Sequence, residues 1–265
     1  MARISRIVVP GYPHHVTQRG VRSMEVFHRD EERRAYLRFL AEEAGRFGVD
    51  ILCWCLMSNH VHVIAVPHQE TSLARAFGEA HRRYTRWKNF AEGVRGYLFQ
   101  GRFSSCVLDE DHLLSAARYV ELNPVRAGMV KHAWGYPWSS ARYHTGVSEI
   151  DPLVKDRTLL GWITDWKEFL DSGDDQAMVR LRLATRTGRP AGGEEFIALL
   201  EGLTGRDLRK GSPGRPRRRR RKNSIMFPDS HIYIGISSSS MVILSLGPNQ
   251  GCSPSDHVSP AADAQ

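Results

Sequence analysis

Two pairs of residues have the types and spacings that metal-assisted nucleophilic chemistry requires. His60 and His62 stand two apart in a run rich in β-branched residues, so on a β-strand both imidazoles project from the same face. Two imidazoles held in this way can bind one divalent metal ion. Tyr119 and Asn123 are four apart in a helical pattern and therefore share one helix face. The tyrosine is a candidate nucleophile, and the asparagine is a candidate third ligand.

Each pair also has a structural interpretation. An HxH sequence can occur by chance in a chain with 12 histidines, and Tyr119 and Asn123 also suit a half-buried packing position and a helix end. Cys53 and Cys55 on the preceding predicted strand add another alternative, because two thiols beside two imidazoles could form a zinc site. Cysteine is nevertheless commonly a small buried residue in a central strand. Neither pair is decisive alone.

The apolar pattern predicts the elements that would position these residues. Strands are predicted at 14–19, 50–57, 59–66 and 103–108, and helices at 30–47, 72–90 and 111–123. Side chains should alternate strictly between the two faces along 50–57, and Pro124 should end the last helix. The order of elements is typical of an α+β fold. We expect an antiparallel, ferredoxin-like (RRM-like) sheet with helices on one face.

The composition divides the chain into four segments. Residues 1–150 form the predicted catalytic domain, 151–208 a small helical extension, 209–222 a basic linker, and 223–265 a Ser/Gly/Pro-rich tail that we expect to be disordered. The best helices of the extension are predicted at 165–170 and 194–203. The formal net charge is +8, and 209–222 holds nine Lys or Arg and no acid. A polyanion such as nucleic acid is therefore a reasonable partner.

The remaining composition narrows the setting. The four cysteines form no CxxC pair and are too few for a disulfide framework, which indicates a reducing compartment. The chain shows neither an apolar leader at its start nor a run that approaches a membrane span. These features predict a cytoplasmic, nucleoid-associated protein without a membrane partner.

Two segments together resemble a known family. The sequences MSNHVH at 57–62 and YVELNPVRAG at 119–128 are similar to those of the REP-associated tyrosine transposases, which are single-tyrosine HUH transposases of the IS200-like family. The segments PGYPHHVTQRG at 10–20 and LFQGRF at 98–103 also match the family's style. The resemblance covers roughly residues 1–150. The pairing of the two motifs at this separation is specific, whereas either motif alone is weak.

The resemblance implies a complete reaction. Tyr119 would be the nucleophile, while His60, His62 and Asn123 would hold Mg²⁺ or Mn²⁺. The enzyme would cut single-stranded DNA through a covalent 5′-phosphotyrosine and rejoin strands without ATP, because the link preserves the energy of the phosphodiester. The implied substrate is a REP-like hairpin.

Recognition of a single strand uses cations along its phosphates and aromatic surfaces under its bases. The candidate DNA-binding residues are Arg19, Arg82, Arg86 and Arg102. A monomer and a homodimer both stay open, and so does the role of the Arg217–Arg221 run, for which phosphate binding and a merely solvated tail are alternatives. Two other functions are kept as hypotheses: a catalytically silent nucleic-acid-binding module and a zinc-binding structural protein.

Overall fold

A four-stranded antiparallel sheet forms the centre of the structure, a computed structural model that describes residues 5–155, 158–172 and 175–209. Its strands are β1 (His14–Arg19), β2 (Val49–Leu56), β3 (His60–Pro67) and β4 (Ser104–Val107). They lie in the order β2-β3-β1-β4, and each neighbouring pair is antiparallel. The predicted α+β, ferredoxin-like sheet is confirmed. Because β3 is a central strand and His60 is its first residue, the histidine pair lies at one end of the sheet, between the two edge strands.

Helices connect the strands and continue beyond them. They are α1 (Asp30–Phe47), α2 (Ser72–Glu92), α3 (Glu110–Glu121), α4 (Asn123–Arg126), α5 (Ala141–His144), α6 (Thr158–Trp162), α7 (Trp166–Asp171), α8 (Asp175–Thr187) and α9 (Glu194–Thr204). α7 and α9 occupy the two segments that the sequence pattern predicts as helices of the extension. The pattern does not predict α8, and this helix contributes to the candidate site described below.

One face of the sheet is covered by α1 and α2. Val61 and Val63 of β3 are buried on this face together with Val16 of β1, in the same core as the apolar side of both helices. α1 has the bounds predicted for it and ends at Gly48, whose φ of 63° lies in the left-handed region that glycine adopts without steric cost. This core fixes β3 so that His60 and His62 project from the other face.

The opposite face is covered by α3 and by the extension, which corrects the expectation of helices on one face only. Ala117 and Val120 of α3 pack in a second core with Ile64 of β3 and Leu181 of α8. This face is apolar over much of its area, because Leu52, Cys53 and Cys55 of β2 are buried in the same core. An apolar face must be buried against another element, and α3 and α8 supply that cover.

Two local details differ from the sequence prediction. A bulge between Ile51 and Cys53 interrupts the strict alternation predicted for β2, so that the consecutive residues Leu52 and Cys53 both lie in the second core. The last helix is split: α3 ends at Glu121, and Pro124 lies in the first turn of α4. Proline is tolerated there because a first-turn N–H has no partner within the helix.

Part of the predicted organisation lies outside the described residues. This applies to 210–222 of the basic linker, including the Arg217–Arg221 run, and to the tail at 223–265. Among the helices that are described, none combines the length and the apolar character needed to cross a bilayer.

Candidate active site

His60 and His62 project from the face of β3 that α3 covers. Their ring centroids are 4.9 Å apart, and the rings are nearly perpendicular. Nδ1 of His60 lies 2.6 Å from Oδ1 of Asn59, and Nδ1 of His62 lies 2.9 Å from Nε2 of His15. The Nδ1 atoms are thus engaged within the protein. Nε2 is the atom of each ring that is left for a ligand.

Both imidazoles are held in the neutral form that binds metal ions. Burial, and secondarily the nearby charge of Arg19, lowers the pKa of His60 to about 4. Burial also places the pKa of His62 well below its ordinary value, and the neighbouring His15 and His60 lower it further. A ligating histidine must be unprotonated at the bonding nitrogen, so no proton would have to be displaced at neutral pH.

Tyr119 and Asn123 lie beside this histidine pair in the same chain. The Tyr119 ring stands edge-on to His62, with centroids 5.4 Å apart and an interplanar angle of 85°. Nδ2 of Asn123 donates to the carbonyl oxygens of Tyr119 and Val120, at 3.0 and 3.1 Å. These two bonds hold the amide at the start of α4 and leave Oδ1 as its ligand atom. The residues that the sequence predicts at 60, 62, 119 and 123 are therefore brought together.

A cavity of about 550 Å³ joins these four side chains and is lined by cations. Arg19, Arg126, Arg182 and Arg186 contribute to its wall, and none of the described residues in that wall carries a carboxylate. The arrangement favours an anionic occupant, since positive groups are not neutralised by the lining itself. A phosphodiester has the charge and the oxygen atoms that arginine recognises.

Arg19 is the only one of the four predicted DNA-binding arginines that lines this cavity among the described residues. Arg82 lies on the exposed side of α2, where it is hydrogen-bonded to Glu79. Arg86 on the same helix and Arg102 in the loop before β4 are also exposed. The structure does not bring these three to the cavity, and their contact with DNA stays a prediction for the outer surface.

A family model matches the part of the chain that forms the sheet and the site. Residues 10–123 match the model described as "Transposase IS200 like". The chain carries a domain of the IS200-like transposase family. The matched range begins ahead of β1 and ends at Asn123, so the transposase domain contains both histidines and the tyrosine.

Two solved structures are similar to this chain. A REP-associated tyrosine transposase bound to a REP hairpin is 16% identical, with a TM-score of 0.48; the match covers 58% of this chain and 91% of the other. A protein from Deinococcus radiodurans proposed to be a transposase is 18% identical, with a TM-score of 0.32; that match covers 46% of this chain and 96% of the other. A comparison with curated proteins gives no significant match.

Residues beyond those predicted also surround the tyrosine of the transposase domain. Arg126 donates to the Tyr119 carbonyl at 2.8 Å, and its guanidinium lies 4.4 Å from the centre of the Tyr119 ring. Nε of Arg182 donates to the Tyr119 hydroxyl at 3.3 Å. Arg126 stands three residues after Asn123, within the segment that resembles the family, and could have been singled out there. Arg182 belongs to α8, whose sequence carries no comparable signal.

The cysteines of the transposase domain do not support a zinc site. Cys53 contacts the Ala117 carbonyl and the Glu121 carboxylate, and Cys55 contacts Met57. Burial is the main cause that raises the pKa of both thiols, which disfavours the thiolate that would bind zinc. Within the described part of the chain, no group of three or more His, Cys, Asp or Glu side chains is arranged to hold a metal ion.

Proposed function

We propose that the chain is a metal-dependent single-strand DNA endonuclease and strand transferase that acts through a covalent 5′-phosphotyrosine. The observation that carries the proposal is the position of Tyr119, edge-on to His62 in a cavity walled by arginines. A nucleophile, a pair of neutral imidazoles and a surface that attracts phosphate occur within one space. Because both motifs come from the same chain, a monomer could complete this site.

Mg²⁺ or Mn²⁺ is the proposed metal ion. Nε2 of His60, Nε2 of His62 and Oδ1 of Asn123 would hold it, since the other polar atoms of these groups bond within the protein. The amide oxygen suits such ions, and the imidazoles also accept softer metals; the absence of thiolate ligands argues only against a structural zinc site. A bound ion would polarise a non-bridging phosphate oxygen and stabilise the negative charge of the transition state.

The residues of the chain carry the covalent step. The Tyr119 oxygen attacks phosphorus, the bond to the 3′ oxygen breaks, and the proton lost by the phenol is balanced by the one gained at the 3′-hydroxyl. Arg182 stabilises the oxygen as its proton leaves, since Nε already donates to it. Attack by a 3′-hydroxyl on the phosphotyrosine reverses the step and joins strands, so no nucleotide hydrolysis is needed.

A hairpin with a single-stranded flank is the proposed substrate. The similar REP-associated transposase was solved with a REP hairpin, and the arginine-lined cavity of this chain suits the phosphates of one strand. Arg82, Arg86 and Arg102 would then contact DNA outside the cavity, where the duplex part of the hairpin could lie.

A denaturing gel of the protein incubated with labelled hairpin DNA tests the proposal. With Mn²⁺ or Mg²⁺, the wild type should give a band of covalent protein–DNA adduct, and Tyr119→Phe should give none. Tyr97→Phe is the matched control, because Tyr97 is 91% exposed and should leave the adduct unchanged. An adduct in Tyr119→Phe would overturn the assignment of the nucleophile. Binding without an adduct in the wild type would support a silent binding module instead.

A further inference from the structure

A chain of buried hydrogen bonds runs from α8 through β1 to His62. Thr185 Oγ1 lies 2.8 Å from His15 Nδ1, and His15 Nε2 lies 2.9 Å from His62 Nδ1. We propose that Thr185 and His15 are positioning residues that fix the tautomer of His62 and keep a lone pair on its Nε2 facing the cavity. The proposal deepens the proposed function and rests on it for the role of His62.

The direction of the first bond follows from the threonine. Its hydroxyl carries one hydrogen, which it donates to the Leu181 carbonyl at 2.9 Å within α8. We assign the hydrogen to this bond because a carbonyl can only accept; the oxygen then accepts from His15, and Nδ1 of His15 carries the proton. Cys106 Sγ lies 3.2 Å from the same oxygen and can donate to it as well without changing this assignment.

The second bond transmits this choice to His62. A neutral His15 with its proton on Nδ1 has a lone pair on Nε2, so His62 must donate from Nδ1. The ring planes are parallel within 6°, and the ring centroids are 5.2 Å apart. This separation exceeds the nitrogen–nitrogen distance of 2.9 Å by twice the radius of an imidazole ring. The two nitrogens thus lie on the line between the ring centres, as in a linear hydrogen bond. Two rings that point at one common ion with the same nitrogen–nitrogen distance would be inclined to each other, and their centres would be closer.

Burial makes these bonds decisive for the tautomer. His15 is 1% exposed, Thr185 4% and His62 5%, so bulk water competes little for the hydrogen bonds between these three side chains. A free imidazole prefers its proton on Nε2, but a metal ligand at His62 needs Nε2 unprotonated. The hydrogen bond that Nδ1 of His62 donates to His15 keeps the proton on Nδ1. Such hydrogen-bond partners also fix the orientation of the ligand ring. Thr185 lies outside the matched range of 10–123, so the extension reaches the candidate metal site.

The test compares three threonine variants of the full chain without DNA. Thr185→Val keeps the shape but removes the acceptor, Thr185→Ser retains it, and Thr187→Val is the matched control on the same helix. Thr187 makes the same type of bond to a carbonyl within α8, at 2.9 Å to Leu183. Mn²⁺ affinity is measured by titration calorimetry, and the protonated nitrogen of His62 by ¹⁵N NMR of the metal-free chain.

The proposal predicts that Nε2 of His62 is unprotonated in the wild type, in Thr185→Ser and in Thr187→Val. In Thr185→Val both rings should shift their protons, and Mn²⁺ affinity should fall about 10- to 100-fold. A wild-type His62 with its proton on Nε2 overturns the proposal, and so does Thr185→Val with unchanged tautomer and affinity. If Thr185→Val does not fold, the wild-type tautomer still decides. Adduct formation on the gel is independent of these readouts. The test can therefore distinguish failure of the Thr185–His15–His62 relay, the hydrogen-bonded chain proposed here, from failure of the proposed reaction.

Discussion

Glu121 is a buried carboxylate whose removal should strongly destabilise the fold around Tyr119. It is fully buried, and Ser140 Oγ and His144 Nδ1 each lie 2.6 Å from its Oε1. Trp166 Nε1 donates to Oε2 at 2.7 Å. The carboxylate therefore ties the end of α3 to α5 and α7. Because the proposed nucleophile stands two residues earlier on α3, we expect this tie also to hold Tyr119 against the sheet.

The size of the effect follows from the groups left behind. Glu121→Ala would leave His144 and Trp166 without their acceptor, at about 1–3 kcal/mol for each group that water does not reach. Ser140 and Cys53 would each keep a second acceptor, a backbone carbonyl. Removal of one partner from a buried ion pair costs about 3–5 kcal/mol, because the remaining group is left buried and uncompensated. We expect a loss of this size for Glu121→Ala. Glu121→Gln keeps the volume and one carbonyl oxygen. Its loss should be smaller, about 1.5–3 kcal/mol for the charge-assisted bonds.

Urea unfolding at neutral pH, followed by tryptophan fluorescence and far-UV circular dichroism, measures these losses. Glu149→Ala is the control, because Glu149 is an exposed residue whose substitution should change stability by less than about 0.5 kcal/mol. The expected order of destabilisation is Glu121→Ala, then Glu121→Gln, then the control. A loss below about 1 kcal/mol for Glu121→Ala would refute the claim that this carboxylate holds the helices together.

Two further predictions concern the site and its strand. Arg182→Gln should slow adduct formation about 100-fold, because the cation beside the attacking oxygen is lost, while hairpin affinity measured in parallel should change much less; equal loss in both would contradict a role in the chemical step. Burial lowers the pKa of His14 to about 4, against a bond to the Tyr12 carbonyl that raises it. The contribution of neutral His14 to the free energy of unfolding is complete above about pH 6.5. It decreases by about 1.4 kcal/mol for each unit by which the pH falls from that value to about 4. Urea unfolding as a function of pH should show a flatter acid limb in His14→Gln, and parallel curves would refute this account.

Local periodicity explains what could be predicted from the sequence. The spacing of two in His60 and His62 places both rings on one face of a strand, whatever the rest of the fold does. The spacing of four in Tyr119 and Asn123 likewise places them on one side of the helical segment, although the break between α3 and α4 lies between them. The bounds of α1 follow from its apolar stripe and from Gly48. These features depend only on residues that are close in sequence, so they can be predicted from the sequence itself.

Contacts between distant segments explain what could not be predicted. Thr185 bonds to His15 across 170 positions, and Arg182 reaches Tyr119 across 63. No local pattern in α8 reports such a partner. The coverage of the second face could not be seen for the same reason, since an apolar strand face does not say which helix will bury it. The bulge at Ile51 depends on the register with β3, which becomes visible only when the strands pair.

The position of α8 bears on which part of the chain is needed for activity. Leu181 is buried in the same core as Val120 of α3, while Thr185 and Arg182 of the same helix reach His15 and Tyr119. Packing and site geometry are therefore supplied by one element that the family match at 10–123 does not include. If the relay and the arginine act as proposed, the extension contributes to catalysis through bonds to two residues of the transposase domain. A shift of α8 by one helical position would break both bonds at once, because each depends on the same helix rotation.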